Sequence, residues 1–364
     1  MSDLQHINAA LELARRGLGR TWPNPAVGCV IVKEGHVTGR GWTQPGGRPH
    51  AETEALARAG PLADGATLYT ALEPCSHHGK TPPCADAVID AGIARVVAAL
   101  EDPDPRVKGA GFARLRAAGI AVEIGLGAKM AAEINAGFLT RLAQGRPLVT
   151  LKLATTLDGK IATASGESRW ITSEAARRRS HLLRASHDAV MIGAGTARTD
   201  DPELTCRLPG MADHHPVRIV VDAGLRLPLT AKLVAGAAQT PTWIVTRDGG
   251  DAARHEGFRT AGVALIELPG HEQGIDLAEA LQALGKRGLT RVLVEGGGQL
   301  AAGLLRQDLV DRIAWFHAPA VIGGDGIAAV AGMGHGRLAE IPRFERLTLE
   351  PVGEDVLETL ARPA

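Results

Sequence analysis

Short apolar runs of strand length alternate with amphipathic spans along most of the chain, and the alternation starts twice. The first series reads "AVGCVIVK", a helix from Pro49, "TLYTAL", a helix from Pro83, "RVVAAL", then helices near 108–118 and 128–142. Such alternation predicts an α/β layer structure with a mainly parallel sheet. A polar stretch with Gly and Pro, "TRLAQGRP", interrupts it near 140–147, which divides the chain into domains over 1–145 and 146–364. The second series runs through "LVTLKLATTLDGKIA", "HDAVMIGAG", "PVRIVVDA", "TWIVTR", "VALIEL", "RVLVEGGG" and "RIAWFHAPAVIGG", at least seven strands and enough for its own sheet. Two domains also suit 364 residues, more than one core usually serves. "AGAAQT" near 235 and "RDGGDAARHEG" near 247 read as surface loops.

Hydrophobic residues at 45% and charged residues at 22% describe an ordinary soluble globular chain. Lys+Arg and Asp+Glu balance at 40 each, so the broad basic field of a non-specific nucleic-acid or membrane-surface binder is missing. The N-terminal stretch spaces Leu4, Ile7, Leu11, Ala14 and Leu18 as an amphipathic helix, without the unbroken apolar core of a signal peptide or anchor. No later segment approaches the roughly 18–20 apolar residues of a spanning helix. The expectation is a cytoplasmic protein with reduced thiols. Cys75 and Cys84 then read as ligands or core residues, Cys29 in "AVGCVIV" as a buried strand residue, and Cys206 carries no signal.

The chemistry concentrates in "RPHAETEAL" and "LEPCSHHGKTPPC". A hydrolytic zinc site needs three protein ligands of nitrogen and thiolate type and one open position for water, and His50, Cys75 and Cys84 supply that set. Pro49 and Pro83 put His50 and Cys84 at helix starts, where the partial positive charge favours thiolate. His50 and Glu52, two apart, can share a site only at the end of a helix. Glu52 is then the candidate carrier of protons between water and a leaving amine. Zinc deaminases use H-x-E followed by P-C-x-x-C. Here the second cysteine follows nine residues after the first, so the insertion needs its own explanation. A structural zinc completed by His77 or His78 is the competing reading, although it leaves Glu52 without a role.

"TWPNPAVGCVIV", "PHAETEAL", "LEPCSHHGKTPPCADAVI" and "EDPDPRVKGAG", at their mutual spacing, resemble the deaminase half of the bifunctional riboflavin-biosynthesis deaminase/reductases, and the likeness continues through the second half. Long cysteine spacing is usual in that family. The resemblance implies a cytidine-deaminase-like zinc domain followed by a dihydrofolate-reductase-like domain that uses NADPH. It implies Glu52 as proton carrier and His50, Cys75 and Cys84 as ligands of one zinc. It also implies Asn24, His77, Lys80 and Asp102 as substrate contacts. Read locally, Asn24 and Asp102 are equally turn residues between prolines. Asp104 stands where the family's "DPNP" motif commonly has asparagine, exchanging an amide for a charge.

In the second half Lys152 alternates against Leu151 and Leu153, a pattern that usually marks a solvated strand residue. Arg177 and Arg184 share a helix face, either as a solvated stripe or as a phosphate anchor. The turns "IGAGTA" and "EGGGQL" could cradle phosphate, but neither completes a dinucleotide fingerprint. By resemblance, Ala154, Trp170, Thr196, Asp200, Gly297, Gly298, Gln299, Leu300 and Gly303 contact the nicotinamide cofactor. Ser168, Arg184, Leu204, Arg207 and Glu295 hold the ribosylamino phosphate, with Lys152 and Asp200 flanking the carbon that receives hydride. The expected partner is a small phosphorylated pyrimidine, without nucleic acid or membrane, in a homo-oligomer. A nucleic-acid-editing deaminase would share the zinc chemistry, but it calls for a basic surface and stacking aromatics, and aromatics are only 3% here.

Overall fold

In the computed structural model, which describes residues 2–79, 82–211, 213–271 and 274–363, the chain divides into two compact units, Met1–Gly145 and Arg146–Ala364. The first contains α1 (Asp3–Ala14), β1 (Gly28–Lys33), β2 (His36–Trp42), α2 (Ala51–Ala59), β3 (Thr67–Thr70), α3 (Cys84–Asp90) and β4 (Arg95–Ala98). It ends with α4 (Ala110–Ala117), β5 (Ala121–Ile124), α5 (Ala128–Ile134) and α6 (Ala136–Gln144). Its sheet has the order β2-β1-β3-β4-β5.

Strands β3, β4 and β5 pair parallel, whereas β1 is antiparallel to both neighbours and alone runs against the other four, so the sheet is mixed in its pairings rather than mainly parallel as expected for this half. Strand β2, "HVTGRGW", gives little strand signal because two of its residues are glycine. Those glycines let α2 approach: a Cβ on Gly39 would fall 2.2 Å from the Ala55 carbonyl oxygen, and one on Gly41 2.2 Å from that of Ala51. A close helix on a sheet therefore replaces strand propensity, and that helix starts at the candidate metal ligands. The span expected as one helix over 128–142 is two, broken at Asn135. Asn135 is buried and its amide both donates to and accepts from the Ala26 backbone. On α1, Ile7, Leu11 and Ala14 are fully buried as expected, while Leu4 remains exposed.

The second unit comprises β6 (Leu148–Thr155), β7 (Lys160–Ala162), α7 (Glu174–Ala185), β8 (Ala189–Gly193), α8 (Ala194–Asp200), β9 (Val217–Val221), α9 (Lys232–Ala235) and β10 (Thr242–Arg247). It continues with α10 (Ala252–Thr260), β11 (Ala264–Leu268), α11 (Leu277–Lys286), β12 (Arg291–Glu295), α12 (Gly298–Arg306), β13 (Arg312–His317), β14 (Ile327–Ala328), β15 (Glu345–Val352) and β16 (Asp355–Ala361). Nine strands form the main sheet in the order β11-β10-β9-β8-β12-β6-β13-β16-β15. The first seven in that order are parallel. Strands β16 and β15 add an antiparallel edge that the alternation did not reveal.

From β6 the chain skips one place to β8, walks outward to β11, then returns to fill the gap with β12. Such a reversal leaves a crevice at the carboxyl ends of the central strands. Helix α10 occupies much of "RDGGDAARHEG", which is therefore not merely a surface loop. Its cap residue Asp251 lines a cavity of about 550 Å³ together with Ala223, Arg247 and His271, beyond the ends of β9, β10 and β11. No helix among the described residues is long and apolar enough to cross a membrane.

Candidate functional site

His50 is the cap residue of α2, Cys84 opens α3 after Pro83, and Cys75 lies on the loop that leaves β3. Their ligand atoms lie within 4.8 Å of one another. His50 Nδ1 is 3.2 Å from Cys84 Sγ and 3.6 Å from Cys75 Sγ, and the Cys84 backbone N–H donates to Cys75 Sγ at 3.3 Å. The Cys84 thiol, helped by His50 and opposed by burial, draws the Cys75 thiol down to about 4. Three soft donors that share protons at this separation fit a zinc ion, which replaces those protons by binding. Among the described residues the cluster has three members, so His77 and His78 do not make it a closed four-ligand site.

Glu52, in the first turn of α2, is buried 3% exposed, and burial raises its carboxyl above the ordinary range. The Thr70 hydroxyl lies 3.3 Å from its Oε1 and 3.1 Å from the Leu72 carbonyl oxygen. His50, Glu52 and Cys75 face one cavity of about 660 Å³. Asn24 and His77 line the same cavity. Asn24 donates its amide to the Gly47 carbonyl at 2.8 Å, and Nδ1 of His77 is buried with no hydrogen-bond partner among the described residues. Lys80 falls outside the described residues.

Asp102, Asp104, Arg106 and Val107 also line the cavity, and the 102–112 segment that carries them is held by a residue the sequence reading missed. Glu73 precedes the Pro74-Cys75 pair and is buried 3% exposed. Its carboxylate accepts from the backbone N–H groups of Asp102, Gly109, Gly111 and Phe112 at 2.8–3.3 Å. An acid directly before a metal-ligand motif, with two glycines near 110, was the available signal. Asp102 lines the cavity, with burial raising its carboxyl to about 6. Its Oδ1 accepts the Asp104 N–H at 2.9 Å. Arg48, Arg106 and Arg141, also unanticipated, complete the basic part of the lining.

In the second unit Lys152 pairs across the sheet with Glu295, and Glu295 binds Arg184 through Nε at 2.6 Å and Nη2 at 2.9 Å. Burial pushes the Glu295 carboxyl up, but Arg184 and then Lys152 outweigh it and bring it down to about 2. Lys152 is not a freely solvated strand residue: burial lowers its ammonium, and Nζ lies 5.8 Å from the Phe316 ring centre. Arg184 is likewise no open phosphate fork, since its Nη1 also donates to the Thr205 carbonyl at 3.0 Å. Leu204, buried at φ +55, precedes that carbonyl, and Arg207, two residues beyond Thr205, is exposed. Arg177 lies on Trp170 at 4.5 Å rather than beside Arg184's partner.

Thr196 meets the turn after β12. A Cβ on Gly297, at φ +89, would stand 3.2 Å from Thr196 Oγ1, so the glycine keeps open a cradle at the start of α12 of the kind a nucleotide occupies. Gly298 lies against the Ala328–Ala331 backbone, Leu300 is buried, and the missing side chain of Gly303 faces Leu277, whereas Gln299 is exposed. Ala154 pairs with Phe316 on β13. Ser168, Trp170 and Asp200 are exposed, and among the described residues none of them hydrogen-bonds to the Lys152–Glu295–Arg184 cluster.

A family profile described as the cytidine and deoxycytidylate deaminase zinc-binding region matches residues 1–100, and one described as the RibD C-terminal domain matches 147–357. The chain is 42% identical to the riboflavin biosynthesis protein RibD of Escherichia coli, covering 98% of each, and 42% identical to that of Bacillus amyloliquefaciens, covering 96% of this chain and 94% of the relative. Among solved structures it resembles Acinetobacter baumannii RibD, with TM-score 0.90, 38% identity and coverage of 100% and 99%. It also resembles a diaminohydroxyphosphoribosylaminopyrimidine deaminase/5-amino-6-(5-phosphoribosylamino)uracil reductase from Thermotoga maritima, with TM-score 0.86, 32% identity and coverage of 99% and 98%.

Proposed function

Because this chain belongs to the RibD family of bifunctional deaminase/reductases in riboflavin biosynthesis, we propose that its two units act in turn on one phosphorylated pyrimidine. The first unit hydrolyses the ring amine of 2,5-diamino-6-ribosylamino-4(3H)-pyrimidinone 5′-phosphate. The second reduces the ribosyl chain to ribityl, giving 5-amino-6-ribitylamino-uracil 5′-phosphate.

His50, Cys75 and Cys84 would hold zinc, which when bound supplies a water acidic enough to ionise near neutral pH. Glu52 takes the proton of the attacking water and delivers it to the departing amine, a task suited to a carboxyl whose affinity for protons burial has increased. Asn24, His77, Lys80 and Asp102 orient the pyrimidine and its sugar. In the second unit a bound NADPH supplies hydride. Thr196 and the turn from Gly297 to Leu300, with Ala154, Trp170, Asp200 and Gly303, hold it. Ser168, Leu204, Arg207 and the Arg184–Glu295 pair contact the ribosylamino phosphate substrate, the pair offering no open fork to its phosphate, and Lys152 and Asp200 flank the reacting carbon. This reading takes the protein as a cytoplasmic homo-oligomer that needs neither nucleic acid nor membrane, with sedimentation as the check on assembly.

The observation that carries the proposal is the set of three ligand atoms within 4.8 Å beside buried Glu52. The test gives zinc-loaded protein the diaminopyrimidinone phosphate and follows ammonia and NADPH in one cuvette. Ammonia release followed by equimolar NADPH loss is expected. Absence of both would overturn the reading, and ammonia alone would confine it to the first unit.

A further inference from the structure

Asp104 brings a negative charge into a cavity whose proposed substrate is itself an anion, and its neighbourhood shows how that charge is used. The carboxylate is buried 5% exposed and accepts the backbone N–H of Arg106 at 3.0 Å. It also accepts Nε of the Arg106 side chain at 2.9 and 3.1 Å, and Nη2. Arg106 holds the Asp104 carboxyl below the ordinary range, so the pair is ionised. The Arg106 side chain is nevertheless 71% exposed, and both residues line the cavity that contains His50 and Glu52.

A guanidinium has five N–H groups in one plane. Asp104 engages the Nε–H and one on Nη2, which leaves three directed away from the carboxylate. A free arginine on a loop loses much side-chain entropy when it grips a ligand, whereas this one is already held in place. The frame beneath it is also fixed, because Glu73 binds backbone N–H groups on both sides, at Asp102 and Gly109. An asparagine at 104 has a single acceptor oxygen and cannot match Nε and Nη2 with parallel bonds; the carboxylate does so with two oxygens, and Arg106 cancels the charge it introduces.

We propose that Arg106 is an anion anchor of the deaminase cavity, gripping the phosphate of the substrate, and that Asp104 is the positioning residue that sets its guanidinium. The inference rests on the deaminase reading above. It assigns the unusual acid at 104 to the orientation of a cation rather than to direct contact with substrate.

The test compares kcat and KM for ammonia release from the phosphorylated diaminopyrimidinone and from its dephosphorylated form, using the full zinc-loaded chain. Arg106→Ala is expected to raise KM for the phosphorylated compound about tenfold or more, with kcat within about twofold, and to leave the dephosphorylated compound unchanged. Asp104→Asn is expected to raise the same KM about threefold, and the double variant to be no worse than Arg106→Ala alone, as coupled residues require. Inorganic phosphate should compete less well against Arg106→Ala than against the wild type. Unchanged KM in Arg106→Ala, or an equal loss on both compounds, would overturn the inference while leaving the deaminase reading in place. A wild type that releases ammonia from neither compound would overturn both.

Discussion

Glu52 illustrates what one residue can and cannot disclose. Its type and its place two after His50 mark it as the candidate proton carrier, but the burial that raises its carboxyl comes from the fold around it, and it prevails over the opposing hydrogen bond from Thr70, a residue 18 positions away. Replacing it by glutamine retains size and hydrogen bonding, so Glu52→Gln should keep a full zinc equivalent by elemental analysis and lose ammonia release by at least about 10². Near-normal deamination in that variant would remove Glu52 from the mechanism. Partners distant in sequence explain the other readings that changed. Arg184 reads as an open fork until Glu295, 111 positions away, is seen to occupy it, and Lys152 reads as solvated until Phe316 and that same pair enclose it.

At the scale of elements, the strands with long apolar runs were readable because both faces are covered, as for β1, β6 and β12. Strand β2 was not, since close approach of α2 demands glycine where a strand would favour branched side chains. The break between α5 and α6 was hidden too, because Asn135 ends one helix to serve Ala26, and no local periodicity reports a bond spanning 109 residues. The segment from 102 to 112 depends similarly on Glu73. Truncating that side chain strands four backbone donors, three of them tied to buried residues, so Glu73→Ala should cost about 2–4 kcal/mol in urea unfolding. A loss below about 1 kcal/mol would mean that water replaces the carboxylate without penalty.

Across the whole molecule, the repeated alternation of runs and helices carried the division into two units, each with its own sheet and its own buried core. All three candidate zinc ligands lie in the first unit, whereas the Lys152 cluster and the glycine cradle lie in the second. Dipicolinate treatment should therefore abolish ammonia release yet leave NADPH oxidation unchanged when the deaminated compound is supplied. Equal loss of both rates would make the metal a requirement of the entire chain. The Glu73 clamp has a further consequence for how such a chain can change over generations. Since it grips only main-chain amides, its hold on the 102–112 segment does not depend on the side chains at 104 and 106. Positions such as 104 and 106 can then exchange charges and try new ligand contacts by single codon changes, without first undoing the metal centre next door.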